Sequence, residues 1–421
     1  MTIPRSELLH KAFSAWITLL FVLFAVMLPR YTDAAKTWYV LLILSALIFV
    51  LASPFQVRDT SRLERFFFCS VILNFAWILF SFYINDQPGR GWNFVWGRHF
   101  YLVFLVPVFF MFRHVSLSDR LLLATLSAST LFSLGDMLID IAQGINPRLQ
   151  GMNQNGFGPV QLCLSGILLL YFCYLRDRRW RLLALAGFVA GIATVILSHS
   201  KSTWFTLLIL SVIFAAYLTR RYDWRKRSAA LVITLLVLIS SYALPPVKMR
   251  VDQGLTSVGN YFASEDYRDD SRLGTFGTRM ELWKTAWQVF LEKPWLGSGV
   301  GSFKVKAKQN WEEYRVHPHV GDYKYVHNQY LAALATRGIP GLLLMLMVLG
   351  LPVYIAIIVR SPDPQRQVAR LAVLLISLNY LIGNLPEDHF EGKSATMFYS
   401  IFLALFLARI SPYTNREPAA L

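Results

Sequence analysis

Long apolar runs recur along most of this chain, separated by short polar turns. A helix needs about 20 apolar residues to cross the hydrocarbon core of a bilayer. About twelve runs fit that length and are predicted as membrane helices. They lie near 11–28, 37–53, 66–84, 99–112, 119–140, 157–175, 181–198, 203–218, 228–244, 341–359, 367–385 and 394–410. One gap differs in kind: from about Pro245 to Gly338 the chain is polar and mixed. The predicted organisation is nine helices over 1–244, one large extramembrane loop with short helices over 245–340, and three helices with a C-terminal tail over 341–421. The first run has no small-residue cleavage site after it, so it is read as a retained helix rather than a cleaved signal. The expected fold class is an all-α polytopic membrane protein.

Charge adds an orientation. Short loops on the cytoplasmic side of a membrane protein are enriched in Lys and Arg. If the N-terminus is cytoplasmic, 21 of the 41 basic residues fall on that side and 7 on the opposite short loops. Both termini are then inside and the large loop outside, which in a bacterium is the periplasmic face of the inner membrane. The net charge of +16 is therefore a topology signal, not a nucleic-acid footprint. The 421 residues are 55% hydrophobic and 16% charged, which excludes disorder and a soluble enzyme of ordinary surface. Cys69, Cys163 and Cys173 sit in apolar runs and suggest neither a disulfide framework nor a metal site. ATP and nucleic acid are absent from the periplasm, so chemistry there must run on an already activated substrate.

The large loop holds the residues that point to chemistry. Gly277-Thr278-Arg279-Met280-Glu281 opens a helical pattern with an apolar stripe of Met280, Trp283, Trp287 and Phe290. Thr278 and Glu281 have capping-box spacing, which predicts a helix starting at Thr278 with Arg279 in its first turn. Helix N–H groups and a guanidinium there would converge on an anion such as phosphate. A solvated arginine satisfies the same pattern. Pro294, Gly297 and Gly299 end the segment in a turn.

Further on, Val326-His327-Asn328 precedes a short helical run that Gly338 should end, with the next membrane helix starting at Gly341. His327 then lies at a helix N-terminus just above the membrane. That position predicts a neutral ring, as a general base requires. Position alone fits a helix cap or interfacial anchor better than a catalyst. His317 and His319 have no third ligand at useful spacing, so no metal is expected.

The second segment resembles the signature of bacterial O-antigen ligases, within the O-antigen ligase and polymerase superfamily. That signature is His, then Asn, Ser or Gln, nine residues, Gly, two residues, then Gly, Thr or Tyr. His327, Asn328, Gly338 and Gly341 fit every element. The Arg279, Trp283, Pro294, Gly297 and Gly299 run resembles the segment before that histidine. Ser198–Trp204 resembles a shorter outside loop whose Ser-Arg pair is implicated in binding the donor pyrophosphate. Lys201 stands where arginine is usual; it keeps the charge and loses the bidentate fork. By itself Lys201 also reads as a snorkelling interfacial lysine.

The resemblance implies a lipid-dependent glycosyltransferase fold of the GT-C type and a metal-independent, inverting ligase with no cofactor. It would move a polysaccharide from undecaprenyl pyrophosphate to lipid A–core oligosaccharide in lipopolysaccharide biosynthesis. His327 would act as general base, and Arg279 and Lys201 would hold the pyrophosphate. The partners implied are these two glycolipids and the membrane, without ATP or nucleic acid. An O-antigen polymerase and a protein O-oligosaccharyltransferase share the pattern, and a glycolipid flippase is a more distant alternative. Three further groups are read structurally. Arg90 and Arg98 with Trp92, Phe94 and Trp96 are read as an aromatic belt in preference to an acceptor surface. Glu387, Asp388, His389, Glu391 and Lys393 are read as a solvated loop in preference to groups that orient the base or meet acceptor sugars. Asp136 and Asp140 are hydrated near the membrane surface.

Overall fold

The computed structural model describes residues 5–52, 60–85, 88–115, 117–145, 154–221, 223–225, 228, 232, 241–243 and 245–412. These residues are helical or irregular, with no strand among them. The elements are α1 (Arg5–Met27), α2 (Thr32–Ala52), α3 (Arg62–Ile84), α4 (Gly91–His114), α5 (Asp119–Ala142), α6 (Gln154–Tyr174), α7 (Arg178–Leu197) and α8 (Lys201–Leu218). After them come α9 (Pro245–Ala263), α10 (Thr275–Glu292), α11 (Phe303–Asn310), α12 (Gln329–Ile358), α13 (Pro364–Gly383) and α14 (Lys393–Ile410). Ten helices among the described residues are long and apolar enough to cross a membrane. The chain is a multi-pass membrane protein.

Eleven of the twelve expected runs coincide with helices. Most of the ninth, 228–244, lies outside the described residues. The run at 367–385 is helical as α13, though α13 is not among the ten. Its first turns carry Gln365, Arg366, Gln367 and Arg370; Arg366 donates to the Ile410 carbonyl, Gln367 to Ser361 O and Arg370 to the Ala356 carbonyl. The fourth helix starts earlier than its apolar run suggests, because a π-helical turn at Val95–His99 carries it through the polar stretch. Such turns widen a helix and often sit at functional sites.

The hub of the bundle is α14. Its residues from Ser394 to Ile410 are all buried, although its sequence is only moderately apolar. It packs on α4, α6 and α13. At its far end Arg409 bonds the Asp119 carboxylate and the Leu117 carbonyl. A buried pair of this kind replaces the water each charge has lost. Asp136 and Asp140 differ from expectation: both are bridged by Arg30, and Asp140 is buried.

The long segment before α12 builds its own small core. Leu282, Ala286, Val289, Phe303, Ala307, Val316, Val320 and Val326 pack with Ala332 and Ala335 of α12. The segment is therefore anchored on the first turns of α12, the helix that follows His327.

Candidate active site

Two glycine turns lock the motif segments together. Helical geometry in α12 is interrupted at Gly338, with φ 67° and ψ −169°. This is the helix end expected from sequence, followed directly by the membrane helix. The interruption exposes carbonyls, and the Pro294–Gly299 turn fills them. Ser298 and Gly299 N–H donate to the Ala335 and Thr336 carbonyls at 2.9 and 3.0 Å, and Ile339 N–H donates to Pro294 O at 2.9 Å. A side chain has no room there: a Cβ on Gly338 would meet Trp295 O at 2.3 Å, and one on Gly297 would meet Arg337 N at 2.3 Å. From α3, Trp77 donates to the Arg337 carbonyl and Ser81 to the Thr336 carbonyl. Gly341 lets α12 pass close to Trp77.

The other end of the same short helix presents His327. Asn328 caps it, accepting the N–H groups of Tyr330 and Leu331. His327 has φ 55°, a left-handed backbone that costs a non-glycine residue about 1–2 kcal/mol. Three contacts hold it there. Its N–H donates to Asp388 Oδ2 at 2.8 Å, its carbonyl accepts Trp283 Nε1 at 3.1 Å, and its ring Nδ1 lies 2.8 Å from Glu387 Oε2. With Nδ1 engaged, Nε2 is the nitrogen left to face a substrate.

Glu387 is almost completely buried and has a second partner. Its other oxygen accepts from Arg279 Nη2. Arg279, Glu387 and His327 thus form one continuous chain. The helix carrying Arg279 does not start where the capping-box pattern put it. It begins at Thr275 with Gly274 as cap, and Arg279 sits beyond the first turn. Thr278 bonds Leu273 O, and the carboxylate of Glu281 is drawn into the protein by Tyr261, Arg272 and the His317 N–H. Tertiary partners outcompeted the local cap. Lys201, first residue of α8, reaches this helix start, with Nζ 3.2 Å from Thr275 Oγ1. The structure therefore brings Arg279, Lys201 and His327 to one place.

The last loop differs most from its reading as a solvated turn. Besides Glu387, it supplies Asp388 against the His327 backbone and Glu391, which is bonded by His99 at 3.1 Å and Arg98 at 3.4 Å. Arg98 also lies over Phe94 and Tyr325, so it belongs to this cluster rather than to a lipid-facing belt. A small cleft opens among Tyr325, His327, Glu387, Asp388, Glu391 and Gly156. The available sequence signal was three carboxylates within five residues beside a membrane helix, where charge is costly unless used.

The electrostatics follow from these contacts. Burial opposes a charge on His327, but the Glu387 hydrogen bond and the charges of Glu387 and Asp388 outweigh it and raise the imidazole pKa above its ordinary value. The ring is thus more basic than its helix position alone suggests, correcting the expectation of a neutral imidazole. Burial pushes Asp388 up to about 7, helped by Glu391 and Glu387 and opposed by His327. Burial would also raise Glu391, yet His99, Arg98 and Arg337 hold it at about 2. The two imidazoles in the large loop lie elsewhere: His317 is buried near Asp270 and stacks on His319.

Comparison with known proteins gives a family match over part of the chain. Residues 186–346 match the family model described as O-antigen ligase. The match runs from α7 into α12 and includes Lys201, Arg279, His327, Asn328, Gly338 and Gly341, though not Glu387. An uncharacterized protein of Haemophilus influenzae is 19% identical over 332 residues, covering 75% of this chain and 79% of that relative. The match over residues 186–346 supports a place for this chain in the O-antigen ligase and polymerase superfamily.

Proposed function

We propose that this protein is an O-antigen ligase of the bacterial inner membrane, with its site facing the periplasm and both termini in the cytoplasm. The donor is polysaccharide on undecaprenyl pyrophosphate, and the acceptor is lipid A–core oligosaccharide. The observation that carries this reading is the Arg279–Glu387–His327 chain with Lys201 beside it. An anion-binding pair and a base are what displacement of a pyrophosphate by a hydroxyl demands.

In the proposed step the acceptor oxygen attacks the anomeric carbon as the bond to the pyrophosphate oxygen breaks. The hydroxyl proton passes to His327 Nε2, and undecaprenyl pyrophosphate leaves. One displacement inverts the anomeric centre. Glu387 orients the ring through Nδ1 and stabilises the imidazolium that forms. Arg279 and Lys201 stabilise the charge growing on the leaving group, so neither ATP nor a metal ion is required. Both substrates are anchored in the outer leaflet, and the GT-C-type arrangement presents these residues at helix ends where the two head groups meet.

The test is transfer from a polyprenyl-pyrophosphate glycan to purified lipid A–core in a reconstituted system. His327→Ala is expected to lower the rate by about 10²–10⁴ while donor binding persists. Transfer to a second donor-linked glycan in place of lipid A–core would redefine the enzyme as a polymerase. Full activity of His327→Ala would remove the base from this mechanism.

A further inference from the structure

Helix α9 carries three distinct faces. Gly254, Ser257 and Tyr261 recur at helical spacing and face the protein. A Cβ on Gly254 would stand 3.7 Å from Lys201 Nζ, the Ser257 hydroxyl accepts Phe276 N–H at 2.9 Å, and Tyr261 donates to Glu281 at 3.1 Å. Farther round the helix, Asp252, Gln253, Thr256 and Asn260 make a polar face. Between these two lies an apolar row: Val251, Leu255 and Phe262 are 38%, 65% and 74% exposed. It spans about 16 Å at 1.5 Å per residue. Scattered exposed apolar residues, such as Met249 on the polar side, need no explanation, but an aligned row does.

The row passes beside the site's cations. Leu255 adjoins Gly254, the residue Lys201 approaches. The Phe262 ring is 6.1 Å from that of Phe276, and Phe276 follows Thr275, whose hydroxyl holds the Lys201 ammonium. Arg279 lies one turn further along the same helix. A single apolar row beside a pair of cations complements an amphiphile with one extended chain and an anionic head. Bilayer lipid would cover the row without needing the cations.

We infer that this row seats the isoprenoid chain of the lipid-linked donor, guiding its pyrophosphate to Lys201 and Arg279; the inference rests on the donor chemistry proposed above. The isoprenoid chain runs along Val251, Leu255 and Phe262. The row is a chain-length selector: a donor with a tail too short to span it loses those contacts and keeps the head-group contacts.

Direct binding to the full-length protein in nanodiscs tests this without any acceptor. The probes are undecaprenyl pyrophosphate and dimethylallyl pyrophosphate, whose single isoprene unit is too short to span the row. The expected wild-type preference is for the long chain. Leu255→Gln with Phe262→Gln should weaken the long-chain probe about tenfold or more and leave the short-chain probe unchanged. No loss for either probe would assign the row to bilayer lipid and overturn the inference, as would equal loss for both in folded protein. A second measurement needs no variant: undecaprenyl pyrophosphate carrying a photoreactive group on its isoprenoid chain should label the 251–262 segment of the wild-type chain. Labelling confined to other helices would overturn the inference. A wild-type protein that binds neither probe would refute the donor chemistry itself, whereas binding with labelling but no glycan transfer would fail only the acceptor assignment.

Discussion

His327 is a residue held against its own backbone preference. Its left-handed conformation persists because Asp388, Trp283 and Glu387 each fix a different atom of it. Such strain is stable only where the surroundings over-determine it, and it concentrates at working sites. The raised pKa makes a prediction with a definite sign. An imidazole above its ordinary 6.5 stays protonated to higher pH, so the acid limb of transfer should fall above pH 6.5. Glu387→Gln removes a charge that favours imidazolium, and the limb should move to lower pH. The rate on the alkaline plateau should fall as well, because the ring loses its orientation. A profile of kcat/KM against pH reads both effects, and an unmoved limb would contradict the role given to Glu387. The cations and the histidine were legible in the sequence because each lies in a patterned segment. Glu387 was not. Its partners are 60 and 108 residues away, and a charged turn looks the same in sequence whether it meets water or a buried arginine.

At the level of elements, glycine punctuation was read well and the helix cap poorly, for related reasons. A glycine at a helix end acts through its own backbone, so Gly338 marks its break wherever the rest of the chain goes. A capping box depends on side chains that tertiary neighbours can claim, and Glu281 was claimed by three of them. Gly338→Ala should therefore be costly. It combines about 1–2 kcal/mol of left-handed strain with a Cβ that meets Trp295 O at 2.3 Å. The expected result is a lower unfolding midpoint together with reduced transfer, since the Pro294–Gly299 turn and the His327 helix share this junction. Wild-type thermal stability and rate in this variant would show that the two turns are not mechanically joined.

The bundle as a whole was mostly visible as apolar runs, but its centre was not. Hydropathy ranks α14 below the other nine candidate spans, at 1.3, yet α14 is the most enclosed of them. A helix surrounded by protein in a membrane is not required to be strongly apolar, because neighbouring helices rather than lipid surround it. Its sequence accordingly tolerates Ser394, Thr396, Ser400 and a buried Arg409. Arg409→Leu would leave Asp119 enclosed without its guanidinium, and removing one partner of a buried pair typically costs about 3–5 kcal/mol. Unfolding in detergent should show that loss, while the pH profile of transfer stays unchanged because the pair lies at the end of α14 opposite Lys393. A shifted profile would mean that the two ends of the hub are coupled.

The double grip of Glu387 has an electrostatic consequence. One carboxylate oxygen holds Arg279 and the other holds His327. On the proposed chemistry, an arriving pyrophosphate competes for Arg279 and draws the guanidinium away. The carboxylate charge then bears more strongly on the imidazole and strengthens it as a base. Donor occupancy thus arms the residue that activates the acceptor. Titration of His327 with an unreactive donor analogue bound should show its pKa above that of the free enzyme, and an unmoved pKa would sink this interlock.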